Sequence, residues 1–149
     1  MKAMAPVRPT DLNQCRIRIP AVPIAAALAR DEIREAIDAW AIKIDKDDAV
    51  LLTSELVTNV IKHVGAGDIV LTIGCCECEF RVDVQDSSNS FPRPVPVAVD
   101  SETGRGLVLV NAIADEWGYY RTPVGTGVFF VLNFLPELPT VGDAGELGI

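Results

Sequence analysis

The chain lacks several things that would fix its chemistry at once. It holds a single histidine, His63, and 13 basic residues against 21 acidic ones, a formal net charge of −8. That shortage of positive charge disfavours direct nucleic-acid binding, because phosphate backbones are held chiefly by Lys and Arg. No apolar run approaches the roughly 20 residues that a membrane-crossing helix needs. Met1 to Thr10 lacks the charged-then-apolar pattern of a secretory leader. A soluble cytoplasmic protein is the expectation. Of the four cysteines, Cys75, Cys76 and Cys78 form a Cys-Cys-x-Cys cluster, but no second Cys/His cluster accompanies it. Structural zinc sites usually draw on two separated clusters, so reduced thiols beside a strand turn are expected here. No internal repeat is visible.

What is present suffices for one domain. The 149 residues are nearly half hydrophobic, enough to build a core without disulfide or metal staples. The acidic balance favours a basic protein partner. It does not oppose a nucleotide, whose phosphates can be held by backbone N–H groups and Mg²⁺.

Periodicity gives the order of elements. Cys15 to Ile19 alternates as a half-buried strand does. Ile24 to about Ile44 reads as a helix on the spacing of Ile33, Ile37 and Trp40. Asp45 to Asp48 then caps a second helix, from about Asp47 to Val64, which ends at Gly65 and Gly67. Asp68 to Gly74 and Glu79 to Gln85 read as strands of a hairpin. The stretch from Asp86 to Ser101, with Pro92, Pro94 and Pro96, supports no regular element. An apolar helix from Gly104 to about Asp115 follows, with Gly118 at its exit. Trp117 to Arg121 and Val128 to Phe134 form a last strand pair around Pro123, Gly125 and Gly127. Hairpin strands interrupted by helices predict an α+β fold, with helices on one face of an antiparallel or mixed sheet. The domain is expected over 14–136, with a flexible arm at 1–13 and an acidic flexible tail at 137–149.

Three segments could carry chemistry. Glu55, Asn59 and Lys62 gather on one side of the second helix, opposite Ala49, Leu56, Val57, Val60 and Val64. Such a stripe is commonly a solvated face, yet mid-helix Asn is a poor helix former. An amide oxygen is a hard ligand for Mg²⁺, and a carboxylate one turn away can accept a proton. Asp86, where a strand runs out, is either a turn or cap residue or an acceptor for an exocyclic amine. Thr103-Gly104-Arg105-Gly106-Leu107 opens the third helix. The glycines either loosen its entry or let a phosphate approach free backbone N–H groups.

Together the three resemble the nucleotide-binding boxes of the GHKL ATPase superfamily, whose members include gyrase and the histidine kinases. Glu55-Leu56-Val57-Thr58-Asn59-Val60-Ile61-Lys62-His63 resembles the N-box helix. Asp86 resembles the adenine-recognising Asp of the first Gly box, and Gly104-Arg105-Gly106-Leu107 the second Gly box. Gly125-Thr126-Gly127 sits where the family places a Gly-Thr before its last strand. The run from Gly104 to Gly118 is most similar to the serine-kinase anti-sigma factors, and the short length suits that stand-alone form.

The resemblance implies a Bergerat-type two-layer sandwich, with a mixed, mostly antiparallel sheet and three helices on one face. It implies ATP and Mg²⁺ as ligands, Asn59 on the metal, Asp86 on adenine with Thr126 nearby, and the Gly104–Leu107 backbone on the phosphates. Arg105 would contact the γ-phosphate, Glu55 would be the general base, and 87–103 would be a lid. The implied partners are a sigma factor and a serine-bearing antagonist protein, and relatives of this type are often dimers. One departure is plain. Where the family has Asp-x-Gly-x-Gly, this chain has Asp86-Ser87-Ser88-Asn89-Ser90. The alternative reading is therefore a non-catalytic regulatory module that sequesters a partner.

Overall fold

A computed structural model describes residues 12–64, 67–86 and 102–135. In chain order the elements are β1 (Asn13–Pro20), α1 (Ala25–Trp40), α2 (Lys46–Val64), β2 (Asp68–Cys75), β3 (Glu79–Asp86), α3 (Glu102–Ile113), β4 (Glu116–Thr122) and β5 (Gly125–Asn133). The strands form one sheet in the order β1-β2-β3-β5-β4. Every pair is antiparallel, so the expected sandwich stands and its sheet is antiparallel throughout the described strands. The arm at 1–11, the loop at 87–101 and the tail from 136 lie outside the described residues.

Alternation decides which side chains meet the helices, although β2 and β3 are buried along nearly their whole length. Ile69, Leu71 and Ile73 of β2, Val82 and Val84 of β3, and Val128 and Phe130 of β5 form one core with the helices. The register lines them up in rows across the strands, Ile73–Val82–Phe130 and Leu71–Val84–Val128. Helix α1 contributes Ala25, Ala29, Ile33, Ala36 and Ile37, the spacing of one buried helical face. Helix α2 contributes Ala49, Leu52, Leu56, Val57 and Val60. It lies in the middle of the helical layer and packs on α1, α3, β3 and β5. Arg30 of α1 also donates to the Ser54 hydroxyl of α2 at 3.1 Å.

Besides α3, which runs from Glu102 to Ile113 rather than from Gly104 to about Asp115, three boundaries differ from expectation. Helix α1 ends at Trp40 rather than near Ile44, because Ala41 turns left-handed (φ 53°, ψ 48°). The Ala41 N–H returns to the Asp38 carbonyl and the Ile42 N–H to the Ile37 carbonyl, which closes the helix in a Schellman arrangement. Glycine usually marks such a cap, and its absence hid this one. Gly118 does not leave α3; it lies inside β4, where a side chain would meet the Phe129 ring at 3.2 Å. Gly125 and Gly127 belong to β5, and only Pro123 and Val124 form the turn before it. The start of α2 agrees with expectation: Asp45 Oδ1 accepts the Asp48 N–H at 3.0 Å, with Asp47 and Asp48 near the positive end of the helix dipole.

The sheet face turned away from the helices holds a polar knot. Arg81 donates twice to Asp83, at 2.8 and 3.1 Å, and its guanidinium lies 4.0 Å above the Phe129 ring. The Tyr120 hydroxyl donates to Asp83 at 2.6 Å and accepts from Gln85 at 2.9 Å. These bonds clamp the Tyr120 ring over its cross-strand neighbour Gly127, where an added Cβ would lie 2.5 Å from the ring. Gly127→Ala is therefore expected to cost about 1–3 kcal/mol, since the ring cannot swing aside without breaking both bonds. Urea unfolding measures it, and an unchanged midpoint would show that the ring is not clamped.

Candidate functional site

The polar stripe of α2 does not form a uniform solvated face. Lys62 is exposed and Glu55 is half-buried, but Asn59 is only 5% exposed. Asn59 is covered from β4, where Trp117, Tyr119 and Arg121 alternate onto the helical side. The Asn59 Nδ2 donates to the Tyr119 hydroxyl at 3.2 Å. Its Oδ1 is buried with no hydrogen-bond partner. The Thr53 and Thr72 hydroxyls are also unpartnered, but a hydroxyl can rotate onto a nearby carbonyl, whereas turning the Asn59 amide over only exchanges which of its two polar atoms is orphaned. An orphaned acceptor inside a fold is costly unless something else completes it.

Asp86 is the last residue of β3 and is 4% exposed. The Thr126 hydroxyl donates to its Oδ2 at 2.8 Å and so orients the carboxylate. Val128, two residues along β5 from Thr126, is the cross-strand neighbour of Tyr119. Asn59, Tyr119, Thr126 and Asp86 thus line one end of the sandwich, on the helical side of the sheet.

Helix α3 points its first turn toward the same end. Just past its last turn, the Asp115 N–H bonds the Val131 carbonyl at 2.9 Å, and the Asn133 N–H donates to Asp115 Oδ2 at 2.7 Å. Those bonds pin the C-terminal end of α3 to the far end of β5. Twelve residues of helix reach back about 18 Å, against α2 and β4. Helix α3 starts at Glu102 rather than Gly104, so of Gly104, Arg105, Gly106 and Leu107 only Gly104 keeps its backbone N–H among the unbonded donors of the opening turn; the Arg105 and Leu107 side chains lie outside the described set, as does 87–101 of the expected lid over 87–103, whose last two residues belong to α3. A separate hollow of about 470 Å³ at the other end of the sandwich, beside Asp45, Asp48 and Asp115, contains none of these residues.

The donor set fits a metal-bound nucleotide. A buried, unpartnered amide oxygen suits a hard divalent cation, and an anchored carboxylate suits an exocyclic amine. The opening turn of a helix suits phosphate. Burial pushes the Tyr119 phenol above its ordinary pKa, against a smaller downward pull from the Asn59 bond, so it stays neutral at physiological pH.

A sequence profile described as the histidine kinase-like ATPase domain matches residues 19–132. The chain belongs to this family. The matched span of the histidine kinase-like ATPase domain runs from the end of β1 to the end of β5 and contains every site residue named above. A search of curated proteins finds no match. No group of three or more His, Cys, Asp or Glu among the described residues is placed to hold a metal, and Cys15, Cys75, Cys76 and Cys78 form no disulfide. No helix among the described residues is long and apolar enough to cross a membrane.

Sequence reasoning did not name Tyr119. The alternation Trp117-x-Tyr119-x-Arg121 was a readable signal that these side chains share a face. That the face meets α2 depends on the strand order.

Proposed function

We propose that this histidine kinase-like ATPase domain binds Mg-ATP at the Asn59–Asp86 end of the sandwich and works as an anti-sigma factor that phosphorylates a serine of an antagonist protein. The observation carrying the reading is the Asn59 amide oxygen, buried, held and without a partner. Asn59 Oδ1 would hold Mg²⁺, which when bound would neutralise phosphate charge. Asp86, oriented by Thr126, accepts from the adenine amine. The free N–H groups at the start of α3, that of Gly104 among them, would receive phosphate oxygens, and Arg105 would contact the γ-phosphate. Glu55, one turn before Asn59 on the same side of α2, takes the proton of the incoming serine hydroxyl. Phosphoryl transfer asks mainly for positioning and charge neutralisation, and this set is chemically sufficient.

The choice of a sigma factor and a serine-bearing antagonist as partners rests on the likeness of the Gly104–Gly118 run to anti-sigma kinases, and on an acidic surface suited to basic partners. A second reading, a partner-sequestering module without transfer, is favoured by the missing glycines in Asp86-Ser87-Ser88-Asn89-Ser90. Glycine alone lets the backbone come closest to a base.

Mg-ATP at a hundred times its dissociation constant is expected to stabilise the fold by about 2.7 kcal/mol, read by chemical denaturation with and without the ligand. An unmoved transition overturns the nucleotide site. Label carried from γ-labelled ATP to the serine of an antagonist protein supports the kinase. Tight Mg-ATP binding with no transfer supports the module.

A further inference from the structure

The Asn59 amide poses an orientation problem. Its oxygen and nitrogen are nearly equal in size, so only their partners decide which one faces the ligand side. We propose that Tyr119 is a positioning residue for Asn59: by accepting the Nδ2 hydrogen, its hydroxyl keeps Oδ1 turned toward the metal. The inference rests on the reading of Asn59 as the Mg²⁺ ligand and adds a residue to it.

The geometry supports this from both sides. On the α2 side, Nδ2 meets the Tyr119 hydroxyl at 3.2 Å while Oδ1 is left buried and unpartnered. On the β4 side, the Tyr119 ring is held by its neighbours. Trp117 packs edge-on against it, with ring centroids 5.9 Å apart and planes at 73°, and the Trp117 indole N–H donates to Asn111 Oδ1 of α3 at 3.0 Å. The ring that orients Asn59 is therefore tied to the helix whose first turn would meet the phosphates.

A phenol can donate as well as accept, so the free amide could also lie the other way round. A cation on the oxygen removes that freedom. With Oδ1 on the metal, Nδ2 must find an acceptor, and the Tyr119 hydroxyl is the one it meets among the described residues. Without the hydroxyl, the metal-facing orientation leaves a buried N–H unpaired, and the penalty falls on the metal-bound state. Tyr119 thus differs from a residue that merely packs.

The test is ADP binding by calorimetry, in EDTA and again with Mg²⁺. The ratio of the two affinities is the magnesium gain. Tyr119→Phe is expected to cut that gain by about tenfold, with ADP affinity in EDTA kept within about twofold. In the Asn59→Asp background the two side-chain oxygens are equivalent and no flip is left to prevent. There Tyr119→Phe is expected to change the gain by less than about twofold.

An unchanged gain in Tyr119→Phe, or an equal fall in both backgrounds, overturns the positioning role. A wild-type protein that binds ADP with no magnesium gain removes Asn59 as the metal ligand. One that binds no ADP under either condition removes the nucleotide site itself. A measurement on the wild type covers the case in which Tyr119→Phe does not fold. In the Mg-ADP complex the Asn59 side-chain NH₂ should exchange slowly with solvent by NMR, and rapid exchange overturns the proposal.

Discussion

Glu55→Gln is expected to leave Mg-ATP affinity within about twofold of wild type and to lower phosphoryl transfer about a hundred- to ten-thousand-fold. The two side chains have the same length and volume, so the half-buried position on α2 is filled equally well. Only proton acceptance is lost, because a carboxamide is a far weaker base than a carboxylate. Single-turnover transfer of label to the antagonist's serine, alongside calorimetric binding, separates the two quantities. Full transfer by the variant would remove Glu55 as the base. Loss of binding together with transfer would place Glu55 on the nucleotide instead.

Asp83→Ala is expected to cost about 3 kcal/mol of folding stability, at the low end for removing one member of a buried ion pair. Asp83 is 1% exposed and its partner Arg81 only 19%. Truncation leaves the guanidinium and the Tyr120 hydroxyl facing an empty acceptor position. Replacing both partners, Arg81→Met with Asp83→Leu, should recover much of the loss, since the cost lies in the stranded charge rather than in the absent pair. Equilibrium urea unfolding of the single and double variants decides the matter; a double variant no better than the single refutes the argument. Asp83 lies on the sheet face opposite Asp86, so nucleotide binding by the folded fraction should not change.

The same knot sets an alkaline limit. Burial first, then the Asp83 carboxylate, push the Tyr120 phenol far above its ordinary value of 10.0. A raised folded pKa contributes stability that is complete below the unfolded value and fades as pH rises past it. Stability should therefore decline above about pH 10 as the unfolded phenol ionises, and Asp83→Ala should soften that decline.

The sequence disclosed the helices and strands well because their apolar spacings were strong and their punctuation mostly conventional. The hairpin of β2 and β3 and the acidic entry to α2 are examples. Legibility failed where one residue type stood in for another. Ala41 does the work of a glycine at the end of α1, and Gly118 sits in a strand because the Phe129 ring lies over it. The candidate site was legible only in its parts. Spacing placed Glu55 and Asn59 on one side of a helix, but the burial of Asn59 comes from Tyr119, 60 residues on, across a strand order that periodicity does not specify. The bond from Thr126 to Asp86 likewise spans 40 residues and depends on the β3–β5 pairing.

Helix α2 sits at the centre of its layer, touching both other helices and strands β3, β4 and β5, and the same helix carries Glu55 and Asn59. A variant library drawn on this element will mix two kinds of failure, because a side chain lost there weakens the scaffold and the proposed ligand cradle at once. Selections scored by activity alone would merge them. Soluble yield recorded clone by clone would tell broken chemistry from broken protein.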